Sequence, residues 1–278
     1  MSINKSVAII GCGWLGQALT MHLLAHNYTV VGTGQSLERL TQISALGAIA
    51  ERLVLPLNTA DSNTYQCFNC QTLVIAITPQ MRSGKTDYAL KLAQVVAHAK
   101  KGNVKHIILV NSTAIYGGLI GEVTEDAKLD ITQAKVAQLY QAEKIVLESG
   151  LAAVSLRVAG LVGPNRLPGN FFKQGRVLTE PNAYVNLVHQ ADVVTCIAKI
   201  IEQPNITGCF NIASNMKVLK QHFYQQAAVS IGNNKPEFEP ADKETKSKRV
   251  VSDKIRQLLS YQFQYDDLLA WLNSTGNK

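Results

Sequence analysis

Short apolar runs alternate along the first two thirds of the chain with longer segments whose apolar residues recur at helical spacing. The apolar runs predict strands at 7–10, 29–32, 49–57, 73–77, 104–110 and 152–158, and the periodic segments predict helices at 17–26, 36–46, 87–100 and 131–149. Continuously apolar strands are typical of parallel strands covered on both faces. The pattern therefore predicts an α/β fold, a Rossmann doubly wound parallel sheet with right-handed crossovers.

The final third changes character. Residues 164–181 are rich in Gly, Pro and Asn, and from residue 217 onward the chain is polar and helical. Residues 187–212 again combine an apolar strand, a helix and a further strand. We expect a Rossmann domain at 1–164 and a smaller C-terminal substrate lobe at 165–278, with 187–212 returning to the Rossmann sheet.

A glycine-rich turn follows the first strand directly and opens the first helix. Its residues are Gly11, Cys12, Gly13, Trp14, Leu15 and Gly16. In Gly-x-Gly-x-x-Gly the first glycine permits the sharp turn, the second lets a pyrophosphate approach the backbone, and the third lets the helix pack on the strand. The helix N-terminus adds free N–H groups and partial positive charge. This context favours dinucleotide binding over a turn with only a packing role.

Ligands of doubly wound sheets bind beyond the carboxyl ends of the strands. The residues expected at that rim are Thr33, Gly34, Gln35 and Ser36 after the second strand, Thr78 and Pro79 after the fourth, and Ser112 after the fifth. Residues 32–36 hold no carboxylate to bind a ribose 2′-hydroxyl, and its absence removes repulsion against a 2′-phosphate. Arg39 lies one turn into the next helix. We expect NADP as the cofactor, with NAD as second choice.

Composition limits the classes of partner. The 278 residues are 46% hydrophobic and 17% charged, and the formal net charge is +7. No apolar stretch approaches the ~20 residues of a membrane span, and neither a secretion signal nor a nucleic-acid motif is recognisable. We expect a cytoplasmic protein that binds a small molecule, not a membrane or nucleic acid. Its basic cluster is interpreted as a solvated loop or an anion site: Lys243, Lys246, Lys248 and Arg249.

Five cysteines, an odd number, argue against a disulfide framework. Cys67 and Cys70 form a Cys-x-x-Cys pair, but no second pair supplies the remaining ligands of a tetrahedral metal site. We therefore predict no metal.

The order of motifs resembles the extended short-chain dehydrogenase/reductase superfamily, in its atypical NAD(P)-dependent epimerase/dehydratase branch. The resemblance rests on the glycine turn, on 111–117 (NSTAIYG), on 156–164 (LRVAGLVGP), on 186–192 (NLVHQAD) and on 248–255 (KRVVSDKI). It implies a Rossmann domain with a small substrate lobe, often binding a nucleotide sugar. It also implies an adenine contact for Asn58 and a homodimer formed through the helices at 87–100 and 131–149.

The resemblance also implies a catalytic hydroxyl, for which Ser112 is the match, and a Tyr-x-x-x-Lys pair, for which Tyr140 and Lys144 have the spacing. In this chemistry the Lys cation lowers the pKa of the phenol, which moves a proton while the nicotinamide moves a hydride. A second register is also open. Counting back from the next strand places the family's Glu at Glu143, so that its Lys and Tyr positions fall on Leu139 and Lys135.

Two hypotheses follow from these features. The leading one is an NAD(P)-dependent oxidoreductase or epimerase/dehydratase-like enzyme that acts on a small polar substrate. The alternative is a catalytically inactive dinucleotide-binding sensor or regulator, because fold and cofactor binding do not guarantee catalysis.

Overall fold

The computed structural model describes residues 5–58, 64–172, 175–241 and 247–275. Its strands are β1 (Ser6–Ile10), β2 (Thr29–Gly34), β3 (Ile49–Arg52), β4 (Thr72–Ile75), β5 (His106–Ser112), β6 (Gly121–Val123), β7 (Ala152–Val158), β8 (Gly160–Val162), β9 (Leu187–His189), β10 (Gly208–Ile212) and β11 (Lys248–Val250). Its α-helices are α1 (Trp14–Ala25), α2 (Leu37–Ala45), α3 (Tyr88–Lys101), α4 (Ala134–Leu147), α5 (Gln190–Ile201), α6 (Lys220–Val229), α7 (Asp253–Leu259) and α8 (Leu268–Thr275).

Seven strands form the central sheet in the order β10-β7-β5-β4-β1-β2-β3. The pairs from β3 through β2, β1 and β4 to β5 are parallel. The chain runs outward from β1 to β2 and β3, and then crosses to β4 on the other side of β1. This reversal is a topological switch point, beyond which ligands of such sheets bind. The predicted Rossmann fold is confirmed.

The third strand is shorter than the predicted 49–57, because its ladder ends at Arg52. Beyond it the Leu53 N–H makes one further bond to β2, to the Gly34 carbonyl at 3.1 Å. Leu53, Leu55 and Leu57 are buried while Val54 is exposed, so apolar burial continues past the end of the strand. Pro56 has no N–H to donate to a ladder. The apolar run at 49–57 correctly predicted burial, but only the hydrogen bonds show where the strand ends.

Residues 187–212 divide between two sheets. Strand β9 pairs with β8 in a separate two-stranded sheet, whereas β10 joins the seven-stranded sheet. The expected return to the Rossmann sheet is therefore made by β10.

The fold comprises two compact units. The first takes in the described parts of 1–115, together with 131–157 and 194–210, and its core is built on fully buried strand residues such as Ile9, Val74 and Ile108. The second takes in the described parts of 116–130, 158–193 and 211–278. Its core includes Phe223 from α6 and Leu268, Trp271 and Leu272 from α8. Each unit thus has an apolar core of its own.

Candidate functional site

The three glycines of the turn after β1 have different surroundings. Gly11 has φ +89, and a Cβ there would lie 2.9 Å from the backbone nitrogen of Ile77. A Cβ at Gly16 would lie 3.0 Å from the Gly11 carbonyl oxygen and 3.2 Å from Cγ2 of Ile9, so this glycine lets α1 pack on β1. A Cβ at Gly13 would meet only that carbonyl oxygen, at 4.0 Å. Gly13 is therefore the open position, where a phosphate can approach the backbone.

Thr33 at the end of β2 holds this turn in place. Its Oγ1 accepts a hydrogen bond from the Gly11 N–H at 3.2 Å, and its carbonyl oxygen accepts one from the Cys12 N–H at 3.0 Å. Only 2% of Thr33 is exposed. The sequence prediction gave Thr33 a contact with the adenosine ribose, and the structure adds a positioning role that spacing alone could not reveal.

A cavity of about 530 Å³ opens at the turn, within the ~300–1,000 Å³ typical of cofactor pockets. Nine residues expected at the cofactor line it: Gly11, Cys12, Gly13, Thr33, Gly34, Gln35, Ser36, Arg39 and Thr78. Trp14, Leu15, Gly16, Asn58, Pro79 and Ser112 are not among its lining residues. Its wall also includes Leu53, Leu55, Gln80 and Lys91, which the sequence did not single out. The open glycine, the helix N-terminus and the volume fit a dinucleotide.

The side of the cavity beyond β2 carries positive charge. Ser36 is the N-cap of α2, and its Oγ accepts a hydrogen bond from the Arg39 N–H at 3.3 Å. Nη1 of Arg39 donates to Oε1 of Gln42 at 2.7 Å. Nε of Arg52, at the end of β3, donates to the Gln35 carbonyl at 3.4 Å. No Asp or Glu is among the cavity-lining residues that the structure describes.

Cys12 lines the cavity as a packing group. Only 1% of it is exposed, and its Sγ lies 3.4 Å from Oγ1 of Thr20. Burial raises the pKa of this thiol, which keeps it protonated and unreactive near neutral pH.

Ser112 closes β5 and begins a tight turn. Its N–H donates to Oδ1 of Asn111 at 2.9 Å, and its Oγ accepts from the Ala114 N–H at 3.1 Å. The side chain of Asn111 also donates to the Leu139 carbonyl at 3.3 Å and to Oε2 of Glu143 at 3.4 Å. The end of β5 is thereby tied to α4.

The helix α4 places Tyr140 and Lys144 away from its buried side. That side consists of Val136, Leu139, Ala142, Glu143 and Val146. At about 100° per residue, Tyr140 and Lys144 lie roughly 95° and 135° around the helix from the middle of this stripe. Tyr140 is 38% exposed, and Lys144 pairs at 3.8 Å with Glu148 on the exposed surface. The structure therefore presents this pair to solvent, and its catalytic role stays a prediction.

Glu143 is buried in an ion pair with Arg157 of β7. Its Oε1 accepts from Nη2 of Arg157 at 2.6 Å, and its Oε2 accepts from Nε at 3.0 Å and from Oγ of Ser155 at 2.7 Å. The register in which Glu143 takes the family's Glu position stays a prediction. In that register Leu139, which is 1% exposed, and Lys135 stand where the family has its Lys and Tyr.

The Cys-x-x-Cys pair is part of a packed turn. Cys67 and Cys70 are both buried. Burial raises the pKa of both thiols, that of Cys70 to about 11. Within the described ranges, no group of three or more His, Cys, Asp or Glu side chains is arranged to hold a metal ion.

Part of the basic cluster is described, and that part is engaged in the second unit. Nζ of Lys248 donates to the Tyr116 carbonyl at 3.0 Å. Arg249 pairs with Glu122 and donates to Oδ1 of Asn215 at 3.2 Å. These contacts hold β11 beside β6. The remaining members, Lys243 and Lys246, lie outside the described residues.

No described helix combines the length and the apolar character that a membrane span requires.

A Rossmann sheet whose switch point carries a glycine-rich turn able to bind a pyrophosphate is typical of NAD(P)-binding proteins. The chain belongs to the NAD(P)H-binding family, which matches residues 11–204. It is 31% identical over 270 residues to protein YeeZ of Escherichia coli K12, an alignment that covers 95% of this chain and 98% of YeeZ. The family match confirms the NAD(P)-binding part of the resemblance described above.

Solved structures share the fold over nearly the whole chain. A functionally unknown conserved protein from Silicibacter pomeroyi DSS superposes with a TM-score of 0.79 at 22% identity, covering 98% of each chain. The UDP-glucuronic acid 4-epimerase of Bacillus cereus, solved with UDP-glucuronic acid and NAD, superposes with a TM-score of 0.77 at 16% identity, again covering 98% of each chain. At these identities the comparison concerns the fold.

Proposed function

We propose that this protein is an NADP-dependent oxidoreductase or epimerase/dehydratase-like enzyme that acts on a small polar substrate, with nucleotide sugars as one candidate class. The observation that carries the proposal is the open face of Gly13 beside a cavity of about 530 Å³. Main-chain N–H groups and the positive end of α1 favour a pyrophosphate there. The relationship to epimerases supports the substrate class.

The preference for NADP rests on charge at the end of β2. The cavity wall carries Arg39 and no described carboxylate. A carboxylate at this position would bind a ribose hydroxyl and repel a 2′-phosphate, whereas an arginine accommodates the phosphate. Gln35 and Ser36 add polar groups to the same wall.

Calorimetric titration of the apo protein with NADP and NAD tests this preference. We expect NADP to bind at least about tenfold more tightly, since a charge-assisted hydrogen bond contributes ~1.5–3 kcal/mol. Arg39→Gln is expected to abolish the difference while leaving NAD affinity unchanged. Lys100→Gln is the matched control, because it removes an exposed cation near the end of α3, outside the cavity wall. Tight NAD binding with undetectable NADP binding would refute the preference.

A second candidate function is a dinucleotide-binding sensor without chemistry. The exposed positions of Tyr140 and Lys144 favour it, because both residues lie outside the buried stripe of α4. NADPH oxidation with a panel of carbonyl compounds, and epimerisation of nucleotide sugars, distinguish the two candidates. If Tyr140 moves the proton, Tyr140→Phe should lower turnover by about 10² or more. Turnover that survives this change would assign proton transfer to another group, and no turnover with any substrate, despite tight NADPH binding, would support the sensor.

A further inference from the structure

Lys91 is a buried lysine in the wall of the dinucleotide cavity. Its side chain is 9% exposed, and it is the only buried lysine among the residues that the structure describes. It occupies the buried stripe of α3 together with Tyr88, Leu92 and Val95. An apolar residue would pack at such a position without the cost of desolvating an ammonium group.

Among the described residues, the charge of Lys91 pairs with Asp87, whose side chain is closer to solvent. Nζ lies 2.9 Å from Oδ1 of Asp87, one helical turn earlier, whose side chain is 26% exposed. Simple support of the helix does not require the cation to be buried, since i,i+4 pairs form equally well on an exposed surface. Lys91 lines the same cavity as Gly13.

The helices that carry Arg39 and Lys91 follow strands on opposite sides of β1. Arg39 belongs to α2, which follows β2, while Lys91 belongs to α3, which follows β4, and β2 and β4 flank β1. In this fold the end of β2 receives the adenosine ribose. The β4 side therefore receives the other half of the dinucleotide. A pyrophosphate diester is a dianion, and the main-chain N–H groups of the turn supply only partial charge.

We propose that Lys91 is a phosphate-binding residue for the nicotinamide-side half of the pyrophosphate, with Asp87 as the counter-ion that holds its ammonium group in place before the nucleotide binds. The inference rests on the proposed dinucleotide binding and assigns a full positive charge to one half of that site. The ligand class is a nucleoside diphosphate whose second phosphate lies beyond the adenosine 5′-phosphate.

The test compares ligands that differ in that second phosphate. Affinities for NADP, ADP-ribose and 2′,5′-ADP are measured by calorimetry on the wild type and on Lys91→Met, whose side chain has similar length. We expect Lys91→Met to weaken NADP and ADP-ribose by about ten- to one-hundredfold. The affinity for 2′,5′-ADP, which lacks the nicotinamide-side phosphate, should change by less than about threefold. The salt dependence of NADP binding should also become shallower.

Matched variants separate phosphate binding from support of the helix. Lys85→Met removes an exposed cation nearby and is expected to leave all three affinities unchanged, while Lys91→Arg should retain most of the NADP affinity. Asp87→Asn removes the negative charge but keeps an Oδ1 that can accept a hydrogen bond from the ammonium group of Lys91, so it should bind NADP at least as well as the wild type. This variant decides the question if Lys91→Met fails to fold. If Asp87→Asn lowers the affinity for NADP by tenfold or more, the pair acts structurally and the proposal is overturned.

The other possible results separate a failure of the Lys91 assignment from a failure of the proposed function. Equal weakening of all three ligands by a folded Lys91→Met, or no weakening of any, would also overturn the assignment of Lys91. A wild-type protein that binds none of the three would instead refute the proposed function.

Discussion

Replacing Glu143 by glutamine is expected to remove a large part of the stability of the Rossmann unit. Glu143 and Arg157 form an ion pair whose side chains are 3% and 5% exposed. The carboxylate accepts two hydrogen bonds from the guanidinium, one from Ser155 and a longer one from Asn111. Glutamine keeps the shape and one acceptor but removes the negative charge, so Arg157 is left buried without its counter-ion.

The magnitude follows from that burial. Breaking a buried ion pair by removing one partner costs about 3–5 kcal/mol, because the remaining charge is desolvated without compensation. Glutamine retains an acceptor for part of the network, so we expect about 3 kcal/mol. Domains are typically stable by only ~5–15 kcal/mol, and this loss is therefore readily measurable.

Urea denaturation followed by far-ultraviolet circular dichroism provides the measurement. The matched control is Glu148→Gln on the same helix, since Glu148 pairs with Lys144 at 3.8 Å on the exposed surface. Exposed i,i+4 pairs contribute ~0.3–0.5 kcal/mol, and the control should lose no more than that. The double variant Glu143→Leu/Arg157→Met removes both charges and should recover most of the stability lost by Glu143→Gln.

Two results would contradict this reasoning. One is a loss for Glu143→Gln as small as that of Glu148→Gln, which would mean that Arg157 finds another counter-charge or solvent. The other is a double variant as unstable as the single one, which would mean that packing of the polar side chains matters more than their charge.

Two further predictions concern the glycine turn and the acid sensitivity of the sheet. The free energy of unfolding of Gly13→Ala should lie within about 0.5 kcal/mol of that of the wild type, because the added Cβ meets no atom nearer than 4.0 Å. In calorimetry the same variant should bind NADP more weakly by tenfold or more. Gly16→Ala should instead lose about 1–3 kcal/mol in urea denaturation, because its Cβ would lie 3.0 Å from the Gly11 carbonyl; the reverse ranking of the two variants would contradict their assigned roles. Burial lowers the pKa of His106 from 6.5 to about 4, so the unfolded chain takes up the proton first as the pH falls, and stability is lost between these two values. From about pH 7.5 to pH 5 we expect His106 to account for a loss of about 2 kcal/mol, which His106→Leu should remove; an unchanged pH slope in urea midpoints would show that His106 does not control it.

The sequence predicted most elements because their patterns depend on local burial. The glycine turn, the sixth predicted strand at 152–158 and the helix predicted from residue 36 follow from residue types whose conformational preferences act within a few positions. The strand predicted over 49–57 was too long, since β3 ends at Arg52 although Leu53, Leu55 and Leu57 beyond it are buried. Burial leaves a pattern in the sequence, whereas strand pairing depends on a partner elsewhere in the chain.

The residues of the site divide in the same way. Gly11, Gly13 and Arg39 could be found from spacing, since their roles are tied to the end of one strand and the start of one helix. Lys91 could not, because a lysine in an amphipathic helix gives no sign of whether it faces solvent or a cavity. Its periodicity with Tyr88 and Leu92 was the available signal, and it indicates burial without identifying what lies on that side.

By itself, the sequence determined the class of fold and the place of the phosphate turn, because both depend on local steric and hydrophobic rules. The tertiary structure decided how α4 is rotated, which buries Glu143 against Arg157 and leaves Tyr140 and Lys144 exposed. It also decided which charges surround the cavity. Helix rotation and long-range pairing are set by packing between segments distant in the chain, and a single sequence read along its length does not encode those contacts as a pattern.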